Sequence, residues 1–340
     1  MYLSHMNYRQ VEEYLQTSDT IVIPVGSLEN HGLHMPLGTD SLIPDHICKL
    51  LNERSDLLIA PAINYGATDD LVGFAGTVSI GTEGLIHLLR TVCDQLFQYG
   101  FRHFMILNGH GGNTAAIQAV GSHLYRRGAY LAILNWWLMA GQINPEWAGG
   151  HGGGEETAAV MAVDPALIKT EYLSLPEGIC NDLGDDLPYG AWTSIQYKGV
   201  SITVPREIRD ITDNGWLVHS FKGDVPTRAT PEWGRAMLEA TADYIADFGT
   251  HFAKTKLPVK CGEKVCGALS YTTTADYAEP RLTLQQACAG RPSCDTKKER
   301  ISCIFRIIFS GTIFKIVISS MVRPMRANPP CAKCLPNGLT

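Results

Sequence analysis

In "IVIPVGSLENHGLHMPLGTDSLIPDHICKLLN", residues 21–52, three kinds of sequence follow one another without a gap. Ile21 to Val25 is a short, largely β-branched apolar run flanked by turn residues, which predicts a buried strand. Gly26 to Asp40 then gathers two histidines, two carboxylates and several turn formers where a simple turn would do. Ser41 to Asn52 reads as an amphipathic helix. The alternation continues along the chain: "LLIAP" (57–61), "HFMILN" (103–108) and "YLAILNWW" (130–137) predict strands, and residues 82–99 and 114–127 predict helices. In the first of these helices Leu85, Leu88, Leu89, Val92 and Leu96 share one stripe. Strand and helix in alternation specify an α/β fold of three layers, a mostly parallel central sheet flanked by helices. Pro24, inside the first strand, predicts an edge position or a bulge there.

Open α/β sheets bind ligands beyond the carboxyl ends of their strands. The polar clusters fall there: Gly26–Asp40 after the first strand, "NGHGGN" (108–113) after the third, and Trp136 and Trp137 at the end of the fourth, shortly before "HGGGEET" (151–157). Three glycine-rich segments are thus expected to share one rim.

Composition narrows what that rim can do. A chain of 340 residues with 45% hydrophobic and 18% charged residues can bury a large core. A formal charge of −6 and the lack of any Lys/Arg cluster argue against nucleic acid and membrane surfaces, which leaves small-molecule chemistry. The N-terminal "MYLSHMNYRQVEEYLQ" lacks the basic head and apolar middle of a secretory signal, so the cytosol is the expected location. Cys48, Cys93 and Cys180 are isolated and read as small apolar residues. The other seven of the ten cysteines lie at or beyond Cys261, where the periodicity also fades. Residues 1–256 are therefore read as the folded domain and 257–340 as an atypical Cys-rich tail, disordered or loosely packed. Within it "CAKC" is one C-x-x-C pair, which cannot close a four-ligand zinc site unless Cys261 and Cys266 join it. The apolar run 301–322 is interrupted by Arg306 and Lys315, which argues against a membrane anchor.

Several residues of the rim have a plain reading beside a chemical one. Glu29 and His31, two apart, project to one side of an extended segment and suit two ligands of one site. Asp40 can cap or open the following helix. His34 taken alone is a hydrogen-bonded loop histidine. The glycines of "NGHGGN" allow positive φ and would let His110 project above the sheet. A phosphate cradle is the competing reading, but the segment has neither GxGxxG spacing nor a Lys-Ser/Thr pair. Glu155 and Glu156 can be first-turn acids favoured by the helix dipole. Caps do not readily explain Glu, His, Asp, His and Glu together on one rim, and a nitrogen and oxygen donor set without thiolate suits zinc, manganese or iron(II). Ser27 stands in "GSLEN" rather than G-x-S-x-G, which argues against a serine hydrolase.

"GSLENHGLHMPLGTD", "NGHGGN" and "HGGGEETA", in this order, with "GDVPTRATPEWG" at 223–234, resemble the creatininase family over about residues 10–250. The resemblance implies a binuclear metal centre that hydrolyses C–N bonds of cyclic amides or formamides, with two divalent ions (Zn2+, Mn2+ or Fe2+). By that analogy Glu29, His31, Asp40 and His110 hold the ions, and Asp40 bridges them. Creatininase itself has a glutamate two positions after the histidine of "NGH", where this chain has Gly112; the resemblance hands that role to Glu156. Where the family commonly shows "HAGE" this chain has "HGGG", so Gly154 removes another acid. These departures place the chain nearer the relatives with "NGHGGN", which include deformylases, a peptide-maturing peptidase and sugar-ring hydrolases, than creatininase itself. The expected chemistry is attack of a metal-activated water on an amide carbonyl, with His151 and Glu156 as catalytic residues and Trp136, Trp137 and His34 lining the substrate pocket. Trp136 and Trp137 have core or subunit-interface packing as their alternative role. The resemblance further implies a homohexamer. A peptidase-type member, or a non-catalytic one that binds metal or a metabolite in regulation or assembly, is the rival reading.

Overall fold

The computed structural model describes residues 1–174, 180–216 and 225–258, and the backbone of two strands at 303–309 and 312–318. The chain divides into two units, Met1–Ala268 and Leu269–Thr340.

The first unit runs α1 (Tyr8–Tyr14), β1 (Thr20–Val25), α2 (Thr39–Arg54), β2 (Leu58–Ile59), α3 (Gly81–Tyr99), β3 (His103–Asn108), α4 (Thr114–Arg127), β4 (Tyr130–Asn135), α5 (Trp136–Ile143), α6 (Gly154–Val163), β5 (Ser194–Tyr197), β6 (Val200–Thr203), α7 (Ile208–Ile211) and α8 (Pro231–Phe252). Strands β2-β1-β3-β4 form one sheet in that order, with every pairing parallel. All six residues of β1 and of β3 are buried, as expected of strands covered on both faces. Alternation sorts them: Val22, Met105 and Leu107 pack with Ile43, Ile47 and Leu51 of α2 and Leu238 and Ile245 of α8. Ile21, Ile23, Phe104 and Ile106 face the opposite way, onto Leu85 and Leu89 of α3 and Ile117 and Leu124 of α4. These are the three expected layers. Strands β5 and β6 form a separate hairpin whose tip, Lys198-Gly199, has φ of 49° and 81°, the positive pair that a two-residue turn requires. In the second unit 303–309 pairs antiparallel with 312–318.

Four local expectations change. Pro24 lies in an inner strand rather than at the edge of the sheet. Its missing N–H falls where the ladder to β2 breaks: Ala60 N bonds Val22 O, and pairing resumes only at Ile63 N to Pro24 O. The strand at 57–61 shrinks to Leu58–Ile59 for the same reason, since the chain leaves the ladder at Pro61. The fourth strand stops at Asn135, and Trp136 opens α5. Helix α2 begins at Thr39 behind Gly38 rather than at Ser41, so of the two plain readings of Asp40 the first-turn acid holds and the cap does not. The expectations for "CAKC" and for most of 257–340 lie outside the described residues. Among the described residues no helix is long and apolar enough to cross a membrane.

Cys48 and Cys93 are buried, and burial pushes both thiols up to about 12. At pH 8 thiolate is therefore suppressed at both positions. Iodoacetamide applied at pH 8 is expected to leave the Cys48 and Cys93 peptides unmodified in the native protein and to alkylate them after denaturation, as read by mass spectrometry.

Candidate metal centre

The rim above β1 and β3 is assembled from backbone outward. After β1 the chain is pinned by Glu29 N to Leu37 O (2.9 Å) and Val78 N to Leu28 O (2.9 Å), which turns Glu29 and His31 inward. His31 Nδ1 meets its neighbour's carbonyl, Glu29 O, at 3.1 Å, and Nε2 faces Asp40 Oδ1 at 3.0 Å. His110 repeats the arrangement with the nitrogens exchanged. Its Nε2 meets Ala67 O at 3.0 Å, and Nδ1 lies 3.1 Å from both Glu29 Oε2 and Asp40 Oδ2. A backbone carbonyl thus fixes each ring while the second nitrogen faces carboxylates, the pattern that orients metal-binding imidazoles.

The "NGHGGN" loop is held by its two asparagines. Asn108 Nδ2 donates to His110 O (2.7 Å) and to Asn135 Oδ1 (2.8 Å), while Asn113 Oδ1 accepts from Ala67 N (2.9 Å) and its Nδ2 donates to Gly26 O (3.0 Å). Gly109 and Gly112 are needed for space rather than for positive φ. A Cβ on Gly109 would stand 1.9 Å from Asp40 O, and one on Gly112 would stand 2.2 Å from Ala67 O and 2.5 Å from His110 Nε2. No side chain fits at Gly112, so a further carboxylate must come from elsewhere. Glu156 comes from the first turn of α6; its Oε2 accepts from Gly152 N at 2.7 Å and lies 3.8 Å from His31 Nε2. His151 brings Nδ1 to 3.8 Å from Glu29 Oε1, with its ring 4.4 Å from that of His31.

Three overlapping groups have ligand atoms close enough to share an ion: Glu29, Asp40 and His110; His31, Asp40 and Glu156; Glu29, His31 and His151. Asp40 belongs to the first two and offers a different oxygen to each histidine. The electrostatics suit a cation. Burial opposes charge on His31, yet Asp40, Glu156 and Glu29 outweigh it and push the imidazole up to about 10. Burial likewise opposes charge on His110, and Glu29 and Asp40 raise it well above the usual histidine range. For Asp40 burial acts upward, but His31 and His110 hold the carboxyl well below its usual range. Burial raises Glu156 to about 8. Both Glu29 oxygens are buried, and the nearest positive partner of Oε2 is His110 Nδ1 at 3.1 Å. Carboxylates withdrawn from water need positive charge beside them, so the donor set fits divalent ions that accept nitrogen and oxygen ligands.

The remaining sequence expectations divide. Trp137 is half-buried beside the rim, where a Cβ on Gly111 would come within 3.9 Å of its ring. Trp136 is completely buried in the core with Met105 and Leu107, so it does not line a pocket; opening α5 turns it under the sheet edge. His34 is also buried, its Nε2 3.1 Å from Thr157 Oγ1, and burial lowers it to about 4. It packs behind the cluster as a neutral ring and does not line a pocket. Glu155 is buried next to Glu156 but does not share the three groups.

Sequence reasoning missed Ser27, whose Oγ donates to Asp40 Oδ2 at 2.7 Å. Its position two residues after a strand, facing a helix first turn, was the available signal. Ser27→Ala is expected to weaken metal binding about 10- to 100-fold, the usual effect of losing a group that orients a ligand. Competition against a chromophoric chelator measures it; an unchanged affinity would remove Ser27 from the site.

The family model "Creatininase: Creatinine amidohydrolase" matches residues 4–248. The chain is 36% identical over 173 residues to the mycofactocin precursor peptide peptidase of Mycobacterium tuberculosis, covering 46% of this chain and 62% of that protein. It therefore spans less than two thirds of that relative's length. It is 27% identical over 191 residues to creatinine amidohydrolase of Pseudomonas putida (49% and 74% covered). The 3-dehydro-scyllo-inosose hydrolase of Thermotoga maritima is 28% identical over 203 residues (54% and 65%). Among solved structures, creatinine amidohydrolase superposes with a TM-score of 0.60 at 23% identity, covering 75% of this chain and 98% of that one. Other solved creatininases of this fold are described as Zn-Zn type and as "Creatininase Mn".

Proposed function

The chain belongs to the creatininase family of hydrolases, and from that premise we propose that it is a metal-dependent amidohydrolase cleaving a C–N bond of a small cyclic amide or formamide. The observation that carries the reading is Asp40, buried between two histidines with one oxygen facing each. That arrangement suits a carboxylate shared by two cations, with Glu29 and His110 completing one side and His31 and Glu156 the other. Divalent ions held there would polarise a substrate carbonyl and lower the pKa of a bound water from about 15.7 toward 7. Zinc and manganese are the first candidates, since related solved creatininases are described with them.

The chain's own residues do the rest. Ala67 O and Glu29 O keep His110 and His31 in the orientation that presents the other nitrogen to the centre. Glu156, raised to about 8 by burial, can hold a proton near neutral pH when it is not engaged as a ligand. His151, a largely buried side chain with Nδ1 3.8 Å from Glu29 Oε1, is our candidate for protonating the leaving nitrogen. Trp137 stands at the same rim as a wall of the substrate pocket.

A second reading, cleavage of a peptide, is favoured by the 36% identity to a peptide peptidase. One experiment addresses both: elemental analysis of protein purified without added metal, then a screen of formamides, cyclic amides and short peptides. Near two equivalents of metal with turnover of a non-peptide amide supports the first reading, and turnover of peptides alone supports the second. Metal without turnover of any class would favour a binding protein, and protein free of metal that cannot be loaded would end the proposal. Family membership also underlies assembly as a homohexamer in the cytosol; light scattering tests the hexamer.

A further inference from the structure

A second tryptophan, Trp192, reaches the same candidate centre from the turn before β5, where it meets His151. Trp192 has φ of 52°, in the left-handed region that a bulky side chain rarely adopts. Three contacts hold it there. Its indole Nε1 donates to Asp70 Oδ2 at 2.8 Å, its backbone N donates to Tyr189 Oη at 3.0 Å, and part of the ring packs on the apolar cluster of Leu71, Phe74, Ile208 and Ile211. The fixed ring meets His151 edge to face, with centroids 5.1 Å apart and planes at 76°. Backbone strain maintained by several independent contacts marks a position whose side-chain placement matters. Trp192 is also half-buried, so part of the residue remains accessible.

We propose that Trp192 is a specificity-determining residue of this site, a rigid aromatic wall that selects substrates with a flat, apolar substituent next to the scissile carbonyl. The inference rests on the amidohydrolase reading above and refines it. An indole locked by Asp70 and Tyr189 gives up little conformational freedom when a planar group lies against it, so stacking there adds directly to affinity. Its contact with His151 sets the wall beside the group assigned to the leaving nitrogen, so the favoured substituent lies near the reacting bond. Asp70 acts through Trp192 as a positioning residue. Substrates with small or strongly hydrated substituents gain nothing from this wall.

The test uses two chelating probes that differ only in the substituent, acetohydroxamate and benzohydroxamate, titrated calorimetrically into the metal-loaded full chain. The wild type is expected to bind benzohydroxamate roughly tenfold more tightly, the scale of a good aromatic contact. Trp192→Phe is expected to keep an aromatic surface but lose part of that preference, because a phenyl ring cannot bond Asp70. Trp192→Ala is expected to bind the two probes within about twofold of each other, with metal content retained. Asp70→Ala should lose part of the preference, because the indole is then no longer held. An equal phenyl preference in all four proteins overturns the proposal. So does loss of metal or of acetohydroxamate binding in Trp192→Ala, since that would make the tryptophan a support of the centre rather than a selector. A wild type that takes up metal but shows no phenyl preference sinks this inference alone. A wild type that takes up no metal sinks the amidohydrolase reading with it.

Discussion

Asp40→Ala is expected to leave the fold intact, reduce bound metal to at most one weakly held ion, and lower amide hydrolysis by at least about three orders of magnitude. The substitution removes the carboxylate that joins the group of Glu29 and His110 to the group of His31 and Glu156. It also strips His31 and His110 of the partner that each meets at 3.0 to 3.1 Å. The fold should tolerate the change because α2 gains a better helix former in its first turn and the apolar contacts of Ile43, Ile47 and Leu51 are untouched. Elemental analysis, circular dichroism and the amide screen together check it. Two equivalents of metal in the folded variant would show that the carboxylate is not shared.

Gly109→Ala is the largest stability effect we expect, about 3 kcal/mol or more, or a melting point roughly 10 °C lower. The added methyl would fall 1.9 Å from Asp40 O and 2.8 Å from Pro44 Cγ. Neither side can retreat. Gly109 N is bonded to Val25 O at 2.8 Å, and the first turn of α2 is tied by Leu42 N to Gly38 O at 2.8 Å. Pro44 lacks the amide that would otherwise bond the Asp40 carbonyl four residues back, so Gly109 packs against a carbonyl that its own helix leaves unused. His110 follows directly, so metal affinity should fall with stability. Gly121→Ala is the control: a Cβ there meets Leu131 only at 3.6 Å inside α4, so stability should hold or rise. Calorimetry on both variants decides, and an unchanged melting point for Gly109→Ala would refute the close packing.

Much of this was legible in the sequence because the signals were local. β1, β3 and α4 are set by runs whose period matches their burial, and the observed α4 begins and ends where its pattern does. Glu29, His31, Asp40 and His110 could be nominated because each follows a strand that pattern had already placed. What escaped was what depends on contacts between distant segments. Trp136 and Trp137 are chemically identical neighbours, yet only the start of α5 sends one into the core and leaves the other at the rim. The glycines of "NGHGGN" read as backbone torsion, but the requirement at Gly109 and Gly112 arises from Asp40 and Ala67, which no periodicity reveals. Trp192 lies in a segment without regular pattern, and its place beside His151 depends on Asp70, 122 residues earlier.

Helix α8 comes last in the first unit, yet it packs on α2 and α6, the helices that carry Asp40 and Glu156. Its contact with α6 is so close that a Cβ on Gly234 would lie 1.8 Å from Ala158 O. A ribosome therefore releases the candidate ligand side chains well before the helix that braces them. Nascent chains arrested before Pro231 should exchange zinc freely, whereas those arrested far enough beyond Phe252 to free α8 from the exit tunnel should retain it.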